Sequence, residues 1–140
     1  MSVDRAIALF GTPDLPAEQE CYVVGALSFT FEGGGIRHVH FDGVEVIRGI
    51  HYLLRDANWA TPAIELGDVT EQRSAETVKL SFPGRVRAGP IAFDMAAEIT
   101  ASASGKLAFS VTGHAGSRFA ANRVGFTVLH PTPECEDIAL

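Results

Sequence analysis

An all-β fold, an antiparallel β-sandwich, is the class that this sequence predicts, and three observations carry it. Apolar and polar residues alternate in run after run, the period of strands that bury one face. The runs recur every ~8–12 residues, with Gly, Pro and Asp-Gly turn chemistry between them. No segment of about ten residues or more fits the helical period of 3.6 better than period 2. Consecutive hairpins stacked in two layers are the expected arrangement.

Residues 1–20 carry Pro13 and Pro16 in a polar setting and read as a loop or tie-down arm. Residues 21–140 read as a single β-sandwich domain. In ALSFTFE, Leu27, Phe29 and Phe31 face one way and Ser28, Thr30 and Glu32 the other. Gly33, Gly34 and Gly35 end that run. IRHVHF and VEVIRGIHYLLRD flank Asp42-Gly43, a two-residue hairpin signal because both central positions favour φ > 0. The second of these strands turns apolar on both faces after Ile47, the mark of a strand inside a sheet and covered on both sides. DANWATPA, 56–63, is a loop, and ELGDVTEQ a weaker strand. ETVKLSF turns Val78, Leu80 and Phe82 inward. PGRVRAGP, 83–90, reads as a turn-rich link. IAFDMAAEI, KLAFSVTG and RVGFTVLH complete the alternation, with ASASGK as a turn.

The chain of 140 residues is the size of one domain with a real core. Its net charge of −6 argues against nucleic acid or an anionic membrane as the main partner, since both need a basic surface. No apolar run approaches the ~18–20 residues that cross a bilayer, and MSVDRAIALFGTPD has no cleavage-site pattern. A cytoplasmic location is the default expectation. Cys21 and Cys135 belong to no C-x-x-C pair and are expected to be free thiols, with a disulfide as the alternative. No cofactor is expected.

Four constellations hold possible chemistry. A regular two-residue hairpin pairs Phe41 with Val44, His40 with Glu45, Val39 with Val46, His38 with Ile47, and Arg37 with Arg48. Two opposed guanidinium groups need a carboxylate, a bound anion or open solvent. That pair therefore reads as an anion contact or as two solvated arginines with a structural acid. The other face offers His38, His40 and Glu45, with His51 further along. An H-x-H pair on a strand with an opposed carboxylate has metal-ligand spacing, although a hairpin tip is exposed and offers no walled cavity. RDANW gathers Arg55, Asp56, Asn58 and the sole tryptophan, Trp59. A ring face beside planar donors and acceptors suits a sugar, and a hydrophobic loop plug is the competing reading. In FAANRVGFTVLHP, Asn122 and His130 share a face that excludes Arg123, so a joint site needs a twist or bulge at the start of the strand. His130, His51, Asp56 and Glu45 are the acid–base candidates. The chain lacks G-x-S-x-G, P-loop and His-Glu-x-x-His motifs.

ALFGTPD, then GALSFTFEGGGIRHVHFDGVEVIRGIHYLLRDANWAT, then ANRVGFTVLHP together resemble the N-terminal β-domain of the D-apionate lactonase family. The likeness runs through nearly the whole chain in order, and the RDANWAT and NRVGFTVLHP motifs are its specific parts. More distantly the pattern is similar to mutarotase-like supersandwich domains, which implies a partial supersandwich here. The resemblance implies a sugar-acid lactone context. In that family a large barrel-like domain, expected to carry the catalysis, follows the β-domain; the sequence in hand lacks it, so no catalytic residue carries over. Arg48, Arg55, Asp56, Asn58, Trp59, Asn122, Arg123 and His130 match motif positions and carry over as structural or ligand-facing residues. Ala57 and Ala60 depart from the Arg and Gly of the family's loop.

The expectation that follows is a non-catalytic β-module that binds a sugar or sugar-acid ligand or a protein partner. A shortened supersandwich leaves an apolar face or edge strand uncovered, which implies a homo-oligomer or a separate barrel-domain partner. A small enzyme acting on a sugar or sugar lactone, and a purely structural fragment, are the alternatives.

Overall fold

The computed structural model describes residues 3–13 and 17–132. In chain order its elements are helix α1 (Val3–Phe10) and strands β1 (Gln19–Val24), β2 (Leu27–Glu32), β3 (Gly35–Phe41), β4 (Val44–Asp56) and β5 (Glu65–Leu66). There follow β6 (Thr70–Arg73), β7 (Thr77–Ala88), β8 (Ile91–Ser102), β9 (Leu107–Ala115) and β10 (Ala121–Leu129). One antiparallel sheet has the order β1-β2-β3-β4-β10; the other has the order β5-β7-β8-β9, with β6 also on β7. The two sheets pack face to face as an all-β sandwich.

The alternating residues meet between the layers. Leu27, Phe29, Ile36 and Leu54 from the first sheet face Leu80, Phe82, Phe93 and Ile99 from the second, all buried. Phe31 and Phe82 touch across the layers with ring centroids 5.3 Å apart. At ~25 cal/mol per Å² of apolar area removed from water, this stripe supplies the main drive to fold.

Several local expectations change. The arm of residues 1–20 contains the short helix α1, and β1 already begins at Gln19. The supposed link of residues 83–90 is mostly strand, because β7 runs unbroken through Pro83. Proline lacks an amide to donate, and Pro83 sits where β7 changes neighbour from β6 to β5, so no ladder bond is lost there. ELGDVTEQ divides between β5 and β6 for the same reason. Cys21 is a free, exposed thiol, while Cys135 lies outside the described residues.

The register of the β3–β4 hairpin also differs. Phe41 pairs with Val44 and His40 with Glu45, and then the ladder slips so that Val39 meets Ile47 and Arg37 meets Gly49. The residue left without a partner is Val46 of β4, and His38, at φ 51 in the left-handed region, stands in a second irregularity where β3 pairs with β2. The Arg37–Arg48 opposition therefore does not form. Period 2 cannot reveal an extra residue that the strand itself absorbs.

β4 is interior to its sheet, as expected, but it is not covered on both faces: Leu54 is buried between the layers, whereas His51, Leu53 and Arg55 on the outer face are only half-buried, because no layer packs on that side. Its neighbour β10 is an edge strand, and Val124, Phe126 and Val128 remain exposed along it. Phe126 touches Tyr52 at 5.3 Å and Phe109 of β9 at 5.0 Å, so both sheets end at one partly open apolar seam.

Candidate functional site

The long pairing of β4 with β10 decides where the expected residues fall. Ala121 lies opposite Asp56 and Arg123 opposite Arg55, with a register shift between Ala121 and Arg123. Asn122 occupies that irregularity, the bulge that a joint site required. Its Nδ2 donates to the carbonyl of Ala57 at 2.8 Å. Arg55, Asp56, Asn58, Trp59, Asn122 and Arg123 thus gather at one end of the sheet.

Asp56 organises this end. Its Oδ1 accepts the amides of Asn58 at 2.8 Å and Ala60 at 2.9 Å. Its own amide donates to the carbonyl of Ala60, and its carbonyl accepts the amide of Trp59. The loop is a closed turn held on one carboxylate, a common role for aspartate. Trp59 is held within it at φ 67 and stays 57% exposed. A bulky residue in the left-handed region is rare and costs about 1–3 kcal/mol. Trp59 is therefore no buried plug: the loop displays it. Beside the loop lies a hollow of about 340 Å³ lined by Asp56, Asn58, Gly89, Pro90, Ile91 and Ala120. The β7–β8 turn that closes it carried no ligand signal in the sequence beyond its Gly-Pro pair.

Arg48 and His130 belong elsewhere. Leu129 pairs with Gly49, so both residues sit at the opposite end of the β4–β10 ladder. Six residues separate Gly49 from Arg55, about 20 Å at ~3.3 Å per residue. A single site holding Arg55, Trp59, Arg123 and His130 does not form.

At that far end Glu45 is saturated. Its Oε2 accepts Arg48 Nη2 at 2.7 Å, and its Oε1 lies 3.0 Å from His38 Nδ1. His40 Nδ1 is turned instead to the carbonyl of His38, 2.8 Å away. The three expected metal ligands do not converge, and no group of three His, Cys, Asp or Glu suited to a metal occurs among the described residues. The Arg48 hydrogen bond holds the Glu45 carboxyl below the usual carboxylate range against desolvation, with a lesser contribution from His38. A carboxyl with a depressed folded-state pKa contributes stability that is complete above the ordinary value and lost as pH falls through the depressed one. Acid titration of stability should show this loss below about pH 4.5 in the parent, near the ordinary value for glutamate. Glu45→Gln should flatten that part of the curve, and an unchanged acid limb would contradict the assignment.

His51 lies mid-way along β4, with its ring over the space that Gly35 and Gly49 leave free. Burial, and then the charge of Arg37, push its pKa down, with Glu32 opposing. Asp56 is occupied by its loop and His130 is exposed beyond β10. No hydrogen bond joins any two of the four acid–base candidates among the described residues.

Six strand arginines divide into two groups, apart from Arg73, which lies over the Tyr22 ring. Arg37, Arg48, Arg85 and Arg87 each bond a carboxylate, namely Glu32, Glu45, Glu65 and Asp94. Arg55 and Arg123 make no ion pair among the described residues, and Arg55 Nε is buried without a hydrogen-bond partner. The opposition expected at the hairpin thus occurs one strand over. It was illegible because β4 and β10 come together across more than sixty residues of chain, 65 between the bonded Asn122 and Ala57.

The sequence was compared with known proteins. The profile described as "D-apionate lactonase, N-terminal domain" matches residues 7–139. A D-apionate lactonase of Brucella anthropi is 32% identical over 125 residues, which is 88% of this chain and 20% of that protein. The chain thus spans about a fifth of that relative's length. No solved structure matches it. With the family profile running through both ends of the β4–β10 ladder, the chain belongs to the family of D-apionate lactonase N-terminal domains.

Proposed function

We propose that this chain is a carbohydrate-binding β-module, non-catalytic by itself, whose ligand site is the Asp56–Trp59 loop with Asn122. The observation that carries the reading is Trp59, exposed at φ 67 beside a hollow and held there by the Asp56 carboxylate. An exposed indole face stacks on the C–H face of a sugar ring, while Asn58 and the loop backbone offer groups to hydroxyls. The family's name supports a sugar-acid or sugar-lactone ligand. The dispersal of His51, Asp56, Glu45 and His130 favours binding over acid–base turnover by this chain alone.

Trp59 is the sole tryptophan, so its fluorescence reports the site directly. Titration with a panel of aldonates, aldonolactones and free sugars should give a saturable change with at least one member. Trp59→Gly should lower affinity at least tenfold by calorimetry. It should leave stability unchanged or raise it by about 1 kcal/mol, because glycine adopts positive φ freely. Silence across the whole panel would overturn the reading.

A second reading, a docking module, is favoured by the open seam of Val124, Phe126 and Val128 on the β10 edge. Uncovered apolar edge strands pair with other chains. Self-association through β10 should raise the mass seen by light scattering as concentration rises, and Val128→Lys should abolish that rise. A constant monomer mass would count against this docking reading.

A further inference from the structure

We infer that Arg55 and Arg123 form a carboxylate-binding subsite on the outer face of the first sheet, beside the Trp59 loop. The two residues are direct partners in the β4–β10 ladder, so their side chains leave the same face at a Cβ separation of about 5 Å. Like charges placed so repel each other. Elsewhere on this sandwich the strand arginines Arg37, Arg48, Arg85 and Arg87 are each matched to an acid, and Arg73 lies over the Tyr22 ring. Arg55 and Arg123 have no acid among the described residues, and Arg55 Nε, like Arg48 Nε, is shut away from water with no acceptor. The nearest acid in sequence, Asp56, spends its Oδ1 on the amides of Asn58 and Ala60.

An anion between the two forks answers each of these facts. One carboxylate has two oxygens, one for each guanidinium, and can take paired N–H donors in its own plane. The next rung leaves room for the rest of such a molecule. Leu53 there is opposite Gly125, around which a side chain would meet nothing within 4 Å. Thr127 and His51 form the rung beyond. The ligand class is therefore a small organic acid whose carboxylate lies on the arginine pair. Its polyhydroxy character rests on the carbohydrate reading above; the carboxylate itself does not.

The experiment is thermal unfolding of the chain in gluconate, in the neutral polyol sorbitol, in inorganic phosphate, and in chloride of matched ionic strength. Gluconate should raise the melting temperature of the parent by a few degrees more than chloride or phosphate, and sorbitol at equal concentration should not match it. Arg123→Gln, on an exposed edge position, should be at least as stable as the parent without ligand, because it removes a repulsion. It should also lose the gluconate response, with a fall in affinity of at least tenfold. Arg55→Lys keeps the charge but not the fork and should weaken gluconate severalfold. No gluconate-specific shift, or a shift kept in both variants, overturns the subsite, and an equal response to phosphate overturns its carboxylate class. The two ideas fail separately. Binding of neutral sugars through Trp59 with no role for the arginines sinks only this inference, whereas gluconate bound through the arginines with Trp59 silent sinks only the carbohydrate site.

Discussion

Leu54→Ala is expected to destabilise the sandwich by about 3–4 kcal/mol, the largest effect of any single change near the site. Leu54 has no exposed surface. It stands on an interior strand of its sheet, with Val124 of β10 directly opposite. Removing most of its side chain forfeits transfer free energy and leaves a cavity that two layers of fixed strands cannot collapse to fill. Leu54→Met conserves volume and should cost less than about 1.5 kcal/mol. Since most small domains are stable by only 5–15 kcal/mol, the alanine variant should unfold at a visibly lower urea midpoint with little change in slope. A loss under about 1 kcal/mol would show that the strand carrying Arg55 and Asp56 is not anchored from beneath.

Asp56→Ala should have the largest functional effect. One carboxylate oxygen holds two amides at 2.8 Å and 2.9 Å, and the loop it closes keeps Trp59 in a conformation that tryptophan avoids by itself. Without those bonds only the backbone pairs of Asp56 with Ala60 and with Trp59, and the Asn122 bond to Ala57, are left to offset the backbone strain, so the indole should leave its displayed position more often. Sugar binding should fall at least tenfold. Amide exchange at Asn58 and Ala60 should quicken about tenfold, the factor that ~1.4 kcal/mol represents. Asp56→Asn keeps an acceptor oxygen at the same place and should retain most of both properties. If alanine and asparagine behave alike, the carboxylate is not what holds the loop.

These two residues show how far the sequence reached. Leu54 was legible only as part of a strand apolar on both faces, whereas on half-buried strands burial follows a local period: the neighbours of a strand position alternate whatever lies across from it. The same logic assigned Leu27, Phe29, Leu80 and Ile99 to the interior, where they are. Pro83 misled the local reading. Its effect depends on which neighbouring strand needs its amide, a property of the sheet and not of the residue. Val46 misled it in another way, since a bulge keeps its strand apolar and polar in turn while moving every later partner by one.

The candidate site divides along the same line. RDANW declared itself as a loop rich in planar polar groups around a lone tryptophan; its bond to Asn122 came only with the fold. Alternation also stated the condition under which Asn122 and Arg123 could serve one place, an irregular start to the strand, and the irregularity is there. Distance along the ladder was beyond it. Arg48 and His130 share motifs with the other residues yet stand at the far end, because β4 is 13 residues long and its two ends are different places.

By itself, then, the sequence determined the all-β class, the inward faces of its strands and the loop that carries Trp59, all of which follow from neighbours a few residues apart. Tertiary structure alone decided that Arg55 stands against Arg123 rather than Arg37 against Arg48. It alone decided that Asp56 spends its carboxylate on its own loop, and that β10 leaves an apolar edge open. The physical reason is that cross-strand partners are fixed by register. Register sums every bulge and turn between two strands, and here it joins residues more than sixty positions apart, the 65 that separate Asn122 from Ala57.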